Sequence, residues 1–203
     1  NVKIEIIFLS SKRMKIGIEG INAEDLDHQV RLAAFEFLAH QTQVHGEVLP
    51  RTLLAQGFTF KENRVPLIGP QGIFKPAVLS KIPLSITTVP VVQNSPRPYN
   101  DEVGTDGLLL YRYRGTDPRH PDNSGLRRAM ENRTPLIYLH GIVPGQYMPV
   151  WPVFITADDP ARLTFSVAMD DAQAALQGAS LTGKSETISA ALDLRRQYIT
   201  TTI

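Results

Sequence analysis

Lys3 to Leu9 carries apolar residues at alternate positions and reads as a strand. Asn22, with Asp25 three residues later, marks a helix start. Leu26, Val30, Ala33, Ala34, Phe37 and Leu38 then recur at helical spacing, which predicts an amphipathic helix to about His40. A shorter helix is expected from Pro50, a residue suited to a first helical position, to Gly57 as its stop. Phe58 to Phe60 and Val65 to Ile68 flank a polar turn at Lys61-Glu62-Asn63 and read as a hairpin. Gly69 to Pro76 is turn chemistry around the apolar pair Ile73-Phe74, and a domain boundary is expected there, dividing the chain into 1–76 and 77–203. Ile82 to Val89 is a β-type run, and Val91 to Tyr99 a proline-punctuated loop.

From Leu108 the pattern is strand, helix, strand, strand, strand. Leu108 to Arg114 is the first strand, and Asn123 opens a short helix through Met130. Leu136 to Leu139, Met148 to Ile155 and Arg162 to Met169 supply the other strands, with a turn at Asp158-Asp159-Pro160. Ser185 to Tyr198 reads as a closing helix. Strands with short helices at their connections predict an α+β fold, a curved mixed β-barrel preceded by a small helical N-terminal subdomain.

With 203 residues the chain is long enough to bury a full core, and its 15 prolines favour a loop-rich fold over a helical bundle. The absence of cysteine excludes disulfides, thiolate zinc sites and cysteine nucleophiles. The five histidines show no close metal-ligand spacing, so neither a metal nor a cofactor is expected, and no catalytic constellation stands out. Val2 to Leu9 is too short to span a bilayer and Ser10 to Arg13 does not resemble a signal-peptide cleavage site, so a cytoplasmic protein without a membrane partner is expected.

A net charge of +1 does not announce a polyanion partner, so any such partner must be met by a local patch. Between Arg97 and Arg133 every basic residue except His120 is arginine. At the centre of this run stands Tyr111-Arg112-Tyr113-Arg114. On a strand this alternation places both rings on one face and both guanidiniums on the other. Aromatic faces stack on bases and arginines pair with phosphates, so the segment offers both halves of a nucleic-acid contact. A half-buried edge strand with solvated arginines is the other reading of the same residues.

Gly178 to Ser185 fits the phosphate-binding loop G-x-x-x-x-G-K-S letter for letter, so a P-loop nucleotide hydrolase using Lys184 and Ser185 is an alternative. Its context differs: the alanine-rich stretch Asp170 to Gln177 separates the loop from the strand ending at Met169, where a P-loop follows its strand directly. A glycine-containing turn before a Ser185-capped helix explains the same letters.

A longer order joins these segments. It runs Tyr99-Asn100-Asp101-Glu102-Val103-Gly104, then Leu110-Tyr111-Arg112-Tyr113-Arg114-Gly115, then Asn123-Ser124-Gly125-Leu126, then Thr134-Pro135-Leu136-Ile137-Tyr138, then Tyr147 leading into Pro152-Val153-Phe154. It resembles the SRA (SET- and RING-associated) domain, a PUA-like fold that reads modified cytosine in DNA. The wider chain, including PRTLLAQGF, RVPLIGPQGIFKP and YRYRGTDPRHPDN, is similar to the N-terminal region of bacterial HNH-type restriction endonucleases. No cysteine- or histidine-rich HNH segment follows Tyr198, so the resemblance implies the recognition part of a modification-dependent endonuclease without its nuclease, itself non-catalytic.

The resemblance also implies a mechanism. One nucleotide leaves the duplex, stacks between two tyrosines and has its Watson-Crick edge read by an acidic side chain. By position Tyr99 and Tyr113 match the sandwich, with Tyr111 the alternative second ring, and Asp101 or Glu102 accepts from the cytosine amino group. Arg112, Arg114, Arg119, Arg127 and Arg128 are the candidates for phosphate contacts, while Asn123 is expected to cap its helix. The implied partner is double-stranded DNA carrying 5-methylcytosine or a related base. A homodimer is left open, and a PUA-like RNA-binding module is a further alternative.

Overall fold

The computed structural model describes residues 23–89, 102–103 and 108–168. Helix α1 (Ala23–His45) runs a turn beyond the expected end because nothing in Gln41 to His45 breaks it. It stops at Gly46, whose φ of +87° is the left-handed conformation that glycine adopts at helix ends. Strand β1 (Leu49–Pro50) leads into α2 (Arg51–Gln56), which Gly57 terminates by donating its N–H to the Leu53 carbonyl. At Gly57 any Cβ would lie 2.0 Å from the Val65 carbonyl oxygen, so only glycine fits beneath the hairpin that follows.

That hairpin is β2 (Phe58–Phe60) and β3 (Asn63–Val65), joined by Lys61 and Glu62, both at positive φ. Two left-handed residues match the turn to the twist of the flanking strands. Pairing ends at Val65, earlier than the expected Ile68, because Pro66 has no N–H to continue the ladder. Short strands β4 (Ile73–Phe74), β5 (Ser85–Thr87) and β6 (Glu102–Val103) precede β7 (Leu109–Arg112). Helix α3 (Pro121–Glu131) then leads to β8 (Leu136–Val143), β9 (Gln146–Asp159) and β10 (Thr164–Ala168).

Apart from the β2–β3 hairpin, the described strands form one sheet in the order β4-β5-β8-β9-β10-β7-β6, with β1 paired to the start of β9. β5 and β8 are parallel and every other pair is antiparallel. The sheet curls into a half-barrel, giving a mixed α+β fold with a helix at the N-terminal side.

β8 explains how the half-barrel is filled. Leu136 and Tyr138 face an inner core with Ile86, Leu109, Val150, Val153, Phe165 and Val167, closed by Leu126 and Ala129 of α3. Ile137 and Leu139 face the other way, into a second core with Val30, Ala34 and Leu38 of α1 and Leu54 of α2. Both faces of β8 are buried, so its first half, Leu136 to Leu139, is an apolar run without alternation.

The N-terminal elements therefore share the sheet and a core with the rest. β1 pairs with β9, and the expected boundary at 76 falls inside the second core, which draws residues from both sides of it. The buried Arg31 guanidinium fastens α1 to the sheet by donating to the carbonyls of Ile82, Pro83 and Pro135 at 2.9–3.1 Å. Burial pushes its pKa down to about 10, which leaves it charged at neutral pH. The expected strand at 3–9, the loop at 91–99, the glycine-rich segment 178–185 and the closing helix at 185–198 lie outside the described residues. No described helix is long and apolar enough to cross a membrane.

Candidate nucleic-acid interface

β7 has the expected alternation. Tyr111 and Tyr113 turn inward and Arg112 is exposed. Tyr111 lies opposite Phe165 of β10, and its hydroxyl donates to the Thr87 carbonyl at 3.3 Å. Gly72 allows that placement, since a Cβ there would approach the Tyr111 hydroxyl to 2.7 Å. Strand pairing stops at Arg112, although Tyr113 still donates its N–H to the Leu163 carbonyl at 2.8 Å.

The Tyr113 ring is only 2% exposed and stacks on Phe165, with centroids 4.6 Å apart and planes at 26°. Its hydroxyl donates to Asp158 Oδ1 and accepts from Arg127 Nη2 at 3.2 Å. Arg127 Nε in turn donates to Asp158 Oδ2 at 2.6 Å, closing a triangle among β9, α3 and the end of β7. Burial, reinforced by the Asp158 carboxylate, raises the Tyr113 pKa above that of a free phenol. The hydrogen bond to Asp158 also holds the Arg127 guanidinium in its charged form.

Arg114 is expected to reach outward, and its side chain is partly exposed while its guanidinium is engaged by the chain itself. Its Nη1 donates to Gln71 Oε1 and to Asp122 Oδ2, tying the loop before β4 to the first turn of α3. Arg127 is likewise turned toward Asp158. Their guanidiniums are occupied by side chains of this chain, whereas Arg112, Arg119 and Arg128 are exposed. Among the described residues no side-chain hydrogen bond or ion pair holds the guanidiniums of Arg119 and Arg128.

Asn123 does not cap α3. The cap is His120, whose Nδ1 accepts from the Asp122 N–H at 3.2 Å, with Pro121 as the first helical residue. Asn123 is instead buried one turn in, accepting from the Arg114 N–H and donating to the carbonyls of Arg114 and Asp117. One side chain thus satisfies three backbone groups and fixes the loop that carries Arg114 to Arg119.

Of the expected acidic readers, Glu102 is placed by its backbone on β6 opposite Leu110, beside the tyrosine strand. Tyr99 and Asp101 lie outside the described residues. A second polar group lies at the end of β5, where Thr88 Oγ1 is 3.0 Å from the Tyr138 hydroxyl and that hydroxyl is 2.9 Å from His140 Nδ1.

Sequence reasoning missed Phe165, Gln71 and, most of all, Asp158. Asp158 followed by Asp159-Pro160 has the letters of a turn, and Asp159 behaves as one, accepting from the N–H groups of Ala161 and Arg162. Asp158 is the last-but-one residue of β9, and its partner Tyr113 is 45 residues away, beyond the reach of any local pattern. Comparison with known proteins finds no family model, curated protein or solved structure that matches this chain.

Proposed function

We propose that this chain reads a modified cytosine in duplex DNA, as the SRA-like, PUA-type recognition part of a modification-dependent HNH endonuclease. The observation that carries this reading is β7 and the residue that follows it, with the rings of Tyr111 and Tyr113 turned into a curled half-barrel and Arg112 outside, in the residue order that resembles the SRA domain. The base leaves the duplex and stacks on tyrosine, with Tyr99 and Tyr113 as the two walls and Tyr111 as the alternative to Tyr113. Asp101 or Glu102 accepts from its amino group. Extrusion costs a few kcal/mol, and two aromatic faces at about 1–3 kcal/mol per stacked base offset it.

The packing refines the roles. Phe165 occupies one face of Tyr113, so the opposite face is the one left to a base. With Tyr113 this deeply covered, a base gains that face only by displacing what lies over it. Phosphate contacts fall first to the exposed Arg119 and Arg128, because Arg114 and Arg127 already pair with carboxylates.

A duplex with 2-aminopurine beside a single 5-methylcytosine tests the extrusion, since the probe brightens when its neighbour unstacks. Saturating protein is expected to raise the fluorescence. Tyr113→Leu, which keeps an apolar body in the core, is expected to abolish the rise. An unchanged signal with the saturated wild type contradicts the proposal.

A further inference from the structure

The Tyr113 hydroxyl is held more firmly than burial requires. A buried phenol needs one hydrogen-bond partner, and this one has two, a carboxylate and a guanidinium, themselves ion-paired. Both Asp158 oxygens are engaged, one by Tyr113 and one by Arg127, and the Asp158 side chain is only 11% exposed. Arg127 makes a further, long contact of 3.5 Å to the Pro118 carbonyl. The ring is therefore fixed at three places: its backbone N–H on Leu163, one face on Phe165, and its hydroxyl between β9 and α3.

We propose that Asp158 and Arg127 form a clamp that fixes the position of the Tyr113 ring, making them positioning residues for discrimination between modified and plain cytosine. This rests on the base-reading function proposed above. A single methyl group gives a pocket little to read, so the wall against which it is measured must not drift. Phe165 sets the tilt of that wall and the clamp sets its depth. Arg127 thereby leaves the phosphate-binding set: its charge is spent on Asp158, and without it a nearly buried carboxylate would be left uncompensated. The raised pKa of Tyr113, set first by burial and then by Asp158, agrees with a hydroxyl that stays protonated there.

Tyr113→Phe separates the clamp from the ring. It keeps the aromatic face and the stack on Phe165 and removes only the hydroxyl. If the clamp positions the ring, the ratio of affinities for methylated and plain duplex falls by about fivefold in this variant. A ratio equal to that of the wild type overturns the proposal. Arg128→Ala is the contrasting variant, expected to weaken both duplexes together and to lower the salt dependence, leaving the ratio as it was.

A DNA-free measurement keeps the clamp and the function apart. NMR is expected to show a Tyr113 hydroxyl proton that exchanges slowly with water in the wild type and quickly in Asp158→Asn or Arg127→Gln. Fast exchange in the wild type overturns the clamp whatever the DNA result. A wild type that binds both duplexes equally overturns the base-reading function, and with it the clamp's role in discrimination, while slow exchange in that same protein upholds the clamp as a structural device.

Discussion

Tyr113 shows how much of a site one residue's neighbours in sequence reveal. Its inward direction follows from the alternation with Arg112 and Arg114, which is local and legible. Its hydroxyl partners are not, because Asp158 and Arg127 arrive from β9 and α3 through pairings that no short-range pattern encodes. The same limit governs Arg31. On the sequence it is a polar residue among the apolar positions of an amphipathic helix, and in the fold it is the most deeply buried charged side chain among the described residues, aimed at three carbonyls of two different loops. Removing it leaves those carbonyls buried without their donor. Arg31→Met is expected to destabilise the protein by about 3 kcal/mol in urea unfolding. A loss below about 1 kcal/mol would mean that water or relaxation satisfies the carbonyls instead.

At the scale of elements the local signals carried far. Helix α2 ends at Gly57 as expected and begins one residue later than expected, with Pro50 as its N-cap and Arg51 as its first helical residue. Where boundaries moved, backbone chemistry moved them: α1 runs on until Gly46 ends it, Pro66 shortens β3 and His120 displaces Asn123 as the cap of α3. The β2–β3 turn is the element least suited to its own residues. Lys61 at φ 44° and Glu62 at φ 67° hold a conformation that side chains disfavour. Glu62→Gly is expected to stabilise the hairpin and the fold by about 1 kcal/mol, read as a higher unfolding midpoint. A lower midpoint would show that the Glu62 side chain contributes more than its backbone strain costs.

At the scale of the whole molecule the α+β class and the curvature were legible in the succession of short strands and short helices. The sheet order was not. β7 lies beside β10, and β5 runs parallel to β8 across an excursion that includes β6, β7 and α3. Such pairings depend on which apolar faces meet, and β8, apolar on both, gives no sign of which side faces α1. For the same reason the glycine and proline turn near 76 reads as a boundary, while the packing carries one core across it. The arginine run divides in a similar way: Arg114 and Arg127 hold the half-barrel together, and Arg112, Arg119 and Arg128 lie on its outside. On the proposed reading, the base pocket supplies the selectivity and the arginines supply attraction that is independent of sequence. The most direct test is a pair of fluorescence-anisotropy titrations at several salt concentrations, with duplexes that differ only by one 5-methylcytosine. The account predicts tighter binding of the methylated duplex by about tenfold, the worth of a methyl group in a fitted pocket, at every salt concentration. Equal affinities for the two duplexes throughout the series would contradict it.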